Sequence, residues 1–373
     1  MQLPMKEVEA RPTGIVSWLT VNLGRFVISL FVPVITFIVL WQGFLFLRDS
    51  NAPKLVIAAI AILWGGAGVG LLYLVSNWLV EQMAPKWVAR LQPFVFVGPA
   101  IAVVIYYLAL PTVRTLFASL LNRDGTQFVG LANYITVFTQ PFMLVTFRNN
   151  LLWIVFGASL TVIVGLLVAT LADRSRFETV AKAIIFMPLA ISLVGAGVIW
   201  KFVYAVKDVS DTQIGLLNAI VVAFGGQPQA WIEQLQPFNN LFLIVIVVWL
   251  QSGYAMVLFS AALKGIPGEV LEAARVDGAN EVQVFWQIMI PSILGTIITV
   301  TTTVIIFTLK IFDIVLVMTG GQYGTDVIAT QFYNQYFVNR NFGLGSTIAI
   351  ILLIAVVPVM IYNLRQFSQR EAF

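Results

Sequence analysis

Long apolar runs separated by short polar stretches set the pattern of this chain. Crossing the hydrocarbon of a bilayer takes about 20 mostly apolar residues in a helix. Eight windows satisfy that rule, at residues 26–46, 54–79, 93–119, 150–172, 183–205, 240–263, 292–318 and 345–364. The predicted fold class is all-α, a polytopic membrane protein with eight transmembrane helices. The first 25 residues are polar with mixed charges, and the apolar run after them is too long for a secretory core. It also lacks a small-residue cleavage site, which predicts an uncleaved anchor. In span two the Gly66/Gly70 spacing permits close helix contact.

Two stretches interrupt the pattern. Between spans five and six, residues 206–239 contain IGLLNAIVVAFG, too short to span and predicted to lie on the membrane surface as an amphipathic helix. Between spans six and seven comes EAARVDGANEVQVFWQIMIP, Glu272 to Pro291. Local rules turn it into two short helices. Pro267 suits a helix start, Gly278 a left-handed C-terminal cap, and Asn280 with Gln283 a capping box; Pro291 marks the passage into span seven. The first helix then carries Glu272 and Asp277 beside a small-residue surface at Ala273 and Ala274, which lets another protein approach closely.

Composition agrees with the pattern and narrows the chemistry. The 373 residues are 60% hydrophobic and 10% charged, with a mean hydropathy of +0.93, whereas soluble domains are about half apolar and a quarter charged. There is no cysteine and no histidine, so disulfides, thiolate metal sites and the commonest general base are excluded. The net charge of +4 is scattered singly, which gives nucleic acid no stripe to bind. With eight spans both termini share one side. Lys6, Arg11, Arg25, Lys86, Arg90, Arg174, Arg176, Lys182, Lys264, Arg275, Arg365 and Arg370 fall on that side, and the positive-inside rule makes it cytoplasmic.

Glu272-Ala273-Ala274, then Asp277-Gly278-Ala279, then Ile290-Pro291 resembles the EAA loop of permease subunits in binding-protein-dependent ABC importers. The likeness runs over residues 93–367, through PLAIS at 188–192, LKGIPGEVLEAARVDGA and FDIVLVMTGG. It is nearest to the larger, F-type partner of maltose-type sugar permeases, and among them to α-glucoside permeases. That resemblance implies a type I importer permease fold, with an N-terminal segment and two accessory helices over 1–92 and a six-helix core over 93–373. The loop at 264–291 would carry a coupling helix around Glu272, Ala273, Ala274, Asp277 and Gly278 that docks on an ATPase. The implied partners are a second, G-type permease, two copies of the ATPase subunit, an extracytoplasmic solute-binding protein, the sugar and membrane lipid, all at the bacterial cytoplasmic membrane. The chain has no GxxxxGK[ST] phosphate loop, so no cofactor is expected on it. ATP and magnesium belong to the ATPases, and the chain is a transport subunit and not an enzyme.

Polar groups at membrane depth mark pathways by default. Span seven holds a run of threonines with Lys310 and Asp313, which three-residue spacing places on one helix face, either paired with each other or facing sugar. By the resemblance, Leu250, Gln251, Tyr254, Phe307 and Thr308 match positions that line the sugar site. Val247 and Thr308 stand where the maltose permease has asparagines, so the sugar or its pose differs from maltose. The large periplasmic domain of enterobacterial maltose permeases is missing. The rival expectation is a self-contained secondary transporter using Lys310 and Asp313 as an ion relay; no internal repeat supports it.

Overall fold

A backbone in hydrocarbon has no water to bond, so each apolar run must satisfy its own N–H and C=O groups as a helix. The structure, a computed structural model, describes residues 15–83, 85–173, 175–233 and 236–370. Lys6, Arg11 and Arg174, which weigh on orientation, lie outside them. Two compact units divide the chain, Met1–Pro111 and Thr112–Phe373, against a division at residue 92 in the sequence reading.

The first unit consists of α1 (Ile15–Asp49), α2 (Lys54–Glu81) and α3 (Pro85–Val104), the last running on through a wide turn at Ile105–Ala109. Gly66 and Gly70 face open space. The close approach falls instead at Gly68, where a Cβ would lie 3.0 Å from Leu40, and at Gly43, where it would collide with the Trp64 ring.

In the second unit α4 (Leu110–Ala118), α5 (Ala132–Thr139) and α6 (Pro141–Leu152) precede α7 (Ala158–Asp173) and α8 (Glu178–Phe186). Then come α9 (Leu193–Val203), α10 (Leu216–Ala223), α11 (Asn239–Lys264) and α12 (Gly268–Val276). α13 (Glu281–Gln283) and α14 (Ile290–Ser292) flank a wide turn, and α15 (Leu294–Leu309), α16 (Asp313–Met318), α17 (Ile328–Tyr333) and α18 (Phe342–Arg370) complete the chain. Among the described residues, six helices are long and apolar enough to cross a membrane, and the number is eight if each of two bent pairs counts as one span.

The bent pairs correct the straight spans five and seven. Glu178–Ala190 meets Leu193–Val203 at 105°, and Glu281–Ser292 meets Leu294–Leu309 at 69°. The reason for the first bend is local: Pro188 starts a tight turn, Ile191 is extended, and the Ser192 hydroxyl accepts the Gly195 N–H at 3.0 Å to open a new helix. Span seven also breaks at its far end, since α15 stops at Leu309 and a new helix begins at Asp313. α10 is the helix expected between spans five and six. It turns Asn218 inward and leaves Leu216 and Ile220 exposed, an apolar outer face of the kind an interfacial helix needs.

The second unit is held by two kinds of contact. One is small-residue packing: Ala158, Thr161, Gly165, Ala169 and Ala172 are all buried along α7, and Ala255, Met256 and Phe259 of α11 share their core. The other is a buried asparagine knot where α6 and α11 meet the loop after α16. Asn149 donates to the Gly324 and Asp326 carbonyls at 2.7 and 2.8 Å, and Asn239 donates to the Tyr323 carbonyl at 2.8 Å. Asn150 accepts the Ile328 N–H at 2.7 Å and caps the Leu309 carbonyl left open by the break in span seven. Asp326, its carboxyl pushed up by burial, accepts from Thr330 and Gln331. Each buried carbonyl left without a donor costs about 1–3 kcal/mol. Asn149→Leu strands two of them, so the purified complex is expected to lose roughly 3 kcal/mol or more of stability. A melting curve matching that of the unsubstituted protein would contradict this role.

Candidate translocation cavity and coupling helix

The loop that stood out in the sequence folds as a capped lever. α12 begins after Pro267, with Glu269 in its first turn and Arg275 in its last, the arrangement the helix dipole favours. It ends at Gly278, whose φ of +90° suits a residue without Cβ. There the Ala279 N–H bonds the Ala274 carbonyl at 3.0 Å and the Gly278 N–H bonds the Arg275 carbonyl at 3.1 Å, satisfying two end carbonyls. The capping box then forms as expected: Gln283 N–H donates to Asn280 Oδ1 at 2.9 Å and Asn280 N–H to Gln283 Oε1 at 2.8 Å. Arg275 bonds Glu281 at 2.8 Å across the turn.

Glu272, Ala273, Asp277 and Gly278 are exposed, whereas Ala274 is buried. The expected pair of exposed alanines is therefore one outward residue and one inward one. Helix geometry explains this, because adjacent residues stand about 100° apart. At the base of the lever, Lys182 bonds Asp173, Glu178 and Ser260, and Lys264 bonds Glu178. This cluster ties the ends of α7, α8 and α11 together at the point where α11 passes into α12.

The span-seven residues divide by face. Thr303, Phe307 and Lys310, at i, i+4 and i+7, line a cavity of about 330 Å³ together with Leu193, Ile306 and Ile311. Lys310 is exposed there, and among the described residues it forms no ion pair. The shared helix face expected for Lys310 and Asp313 does not exist, because the break at 310–312 puts them in different elements. Thr308 and Leu250 instead lie in the interior, 0% and 2% exposed. Thr308 packs on Gly157, where a Cβ would come within 2.9 Å of its methyl group. Gln251 and Tyr254 are half-buried on α11 and have no hydrogen-bond partner among the described residues. Thr303 belongs to the run of span-seven threonines picked out in the sequence, whereas Leu193 joins Phe307 and Lys310 without having been singled out, since it lies on a different span.

Residues 161–370 match the family described as binding-protein-dependent transport system inner membrane component. The chain belongs to this family. It is 52% identical over 276 residues to the osmoprotective compounds uptake permease protein GgtC of Synechocystis, covering 74% of this chain and 99% of that one. It is 48% identical to the alpha-glucoside transport system permease protein AglF of Rhizobium meliloti, covering 75% of this chain and 84% of that one. A solved bacterial alginate ABC transporter shares the fold, with a TM-score of 0.63 at 19% identity over 74% of this chain and 94% of its own. The protein is thus an ABC importer permease, a multi-pass inner-membrane subunit and not an enzyme. An importer permease has a partner permease, an ATPase and a binding protein, and the ion-relay alternative finds no support.

Proposed function

We propose that this permease imports α-glucosides or a glucosyl osmolyte such as glucosylglycerol, as the F-type chain beside a G-type permease. The observation that carries the substrate class is its identity, near one half, to the two relatives named for osmoprotective compounds and alpha-glucosides. Two ATPase copies drive it and an extracytoplasmic binding protein delivers the sugar. α12 docks on an ATPase through Glu272, Ala273, Asp277 and Gly278, with Ala274 and the caps holding its shape; both termini are cytoplasmic. Sugar passes along the Thr303, Phe307 and Lys310 face, and Gln251 and Tyr254 of α11 contribute to the path. Leu250, Thr308 and Asp313 join the path if the bundle rocks as the ATPases close.

The test is uptake by proteoliposomes holding both permeases and the ATPases, supplied with the binding protein and labelled sucrose, trehalose, maltose or glucosylglycerol. ATP-dependent uptake of at least one is expected, and uptake of none refutes the substrate class. Lys310→Met should lower uptake about tenfold, since a hydrogen bond to a charged group is worth about 1.5–3 kcal/mol, with assembly unchanged. Normal uptake would place Lys310 off the path.

A further inference from the structure

A second cavity, of about 250 Å³, opens at the Asn239 end of α11 and is lined by Lys201, Tyr204, Trp231, Glu233 and Tyr323 among others. α11 is 26 residues long, so this cavity and α12 lie about 39 Å apart along the helix at 1.5 Å per residue. Its lining has a divided chemistry. Among the described residues, the Lys201 ammonium, the Glu233 carboxylate and the Tyr323 hydroxyl form no hydrogen bond or ion pair, so all three are free to bind. Trp231 and Tyr204 have their polar atoms occupied, by Asn218 at 3.1 Å and the Phe242 carbonyl at 2.8 Å, and offer ring surface.

Tyr323 is held there deliberately. Its φ of +57° is rare for a side-chain-bearing residue, and the fully buried Asn239 fixes its carbonyl. Such an outlier points to a positional requirement. From this cavity the rings continue inward. Trp231 contacts Phe242 at 5.3 Å, Phe242 contacts Tyr204 at 5.9 Å, Tyr204 contacts Trp200 at 5.1 Å, and Trp200 contacts Trp249 at 5.8 Å. Trp249 sits beside Leu250 and Gln251 near the middle of α11. An interfacial aromatic belt presents its rings to lipid headgroups; here Tyr204 is 6% exposed, and the series runs along the span.

We infer that this cavity is a receiving subsite for one glycosyl ring of the incoming sugar, from which the aromatic series leads toward the middle of the span. An acid, a base and a hydroxyl bind the hydroxyl rim of a pyranose, and indole and phenol faces cover its C–H side. The volume falls below that of drug-sized pockets, which suits a single ring. The inference rests on the sugar substrate proposed above.

Because the chain has no cysteine, Ala230→Cys in the full transporter puts one thiol on the cavity wall of this subunit. Asp124→Cys, on an exposed loop, is the control. Trehalose, sucrose or glucosylglycerol at high concentration should slow maleimide labelling of the first and not of the second, and Glu233→Gln should raise the sugar concentration for half-maximal uptake about tenfold. Two outcomes overturn the subsite and leave the importer reading standing: uptake by the unsubstituted complex without sugar protection of Ala230→Cys, or protection by sugar-free binding protein alone, which would mean that the cavity takes a protein side chain. An unsubstituted complex that imports none of these sugars refutes the substrate class itself.

Discussion

Glu272→Lys is expected to cut ATP-driven uptake by about 100-fold or more, the scale on which a like-charge juxtaposition at an interface acts. The carboxylate is exposed on α12 and, among the described residues, makes no hydrogen bond or ion pair, so its replacement leaves the internal packing of the loop intact. What changes, on the docking proposed above, is the face offered to the ATPase. The lever itself is stiff: α12 starts directly after Pro267, its C-terminal end is closed at Gly278, which makes the turn, and the capping box at Asn280 starts the next helix at once. A stiff connector passes on displacement instead of absorbing it. The ion cluster of Lys182 and Lys264 with Asp173, Glu178 and Ser260 joins that connector to three helix ends. Uptake, ATP hydrolysis stimulated by loaded binding protein, melting temperature and the sugar affinity of the binding protein should be measured together. The first two should collapse and the last two hold; full uptake in the variant would remove α12 as the coupling element.

The loop was legible in the sequence because caps are local. Pro267, Gly278, Asn280 and Gln283 act within a few residues of themselves, and the structure has the helix end and the capping box where that chemistry puts them. The positions of the apolar helices were legible because length and apolarity decide them. Direction was not. A hydropathy window gives the same value for a straight helix as for one bent by 105°, so the bends in spans five and seven were invisible, and so was the break at 310–312 that separates Lys310 from Asp313. The asparagine knot escaped for a related reason. Asn149, Asn150 and Asn239 look like turn residues at helix starts, and their partners lie 84 to 178 positions away in the cases of Tyr323 and Ile328. Facing was lost as well: Thr308 and Lys310 are two residues apart, yet one is interior and the other lines a cavity. An apolar helix in a membrane protein carries little amphipathic signal to tell its faces apart.

Gly165→Leu should severely damage the packing of α7 against α11. Between membrane helices the apolar effect gives little drive, and close backbone approach at small residues supplies the contact. A Cβ at Gly165 would lie 2.5 Å from the Ala255 Cβ, 3.1 Å from the Met256 nitrogen and 3.2 Å from the Ala255 carbonyl carbon. Two of those atoms are backbone, which cannot rotate away, so α7 and α11 must separate. Separation opens the row from Ala158 to Ala172 along its length and pulls Asp173 from Ser260, which it meets at 2.7 Å. Overpacking of an ordinary core costs about 1–3 kcal/mol; here the loss should be at the top of that range or above it, since the flanking contacts go too. Gly165→Ala should be intermediate, displacing the helices by one methyl group. Folded yield by size exclusion and the melting temperature of the complex in detergent report the order glycine, alanine, leucine. A leucine variant as stable as the parent would mean that α7 and α11 do not hold this spacing, and the ion cluster at their ends would then need another explanation for its geometry.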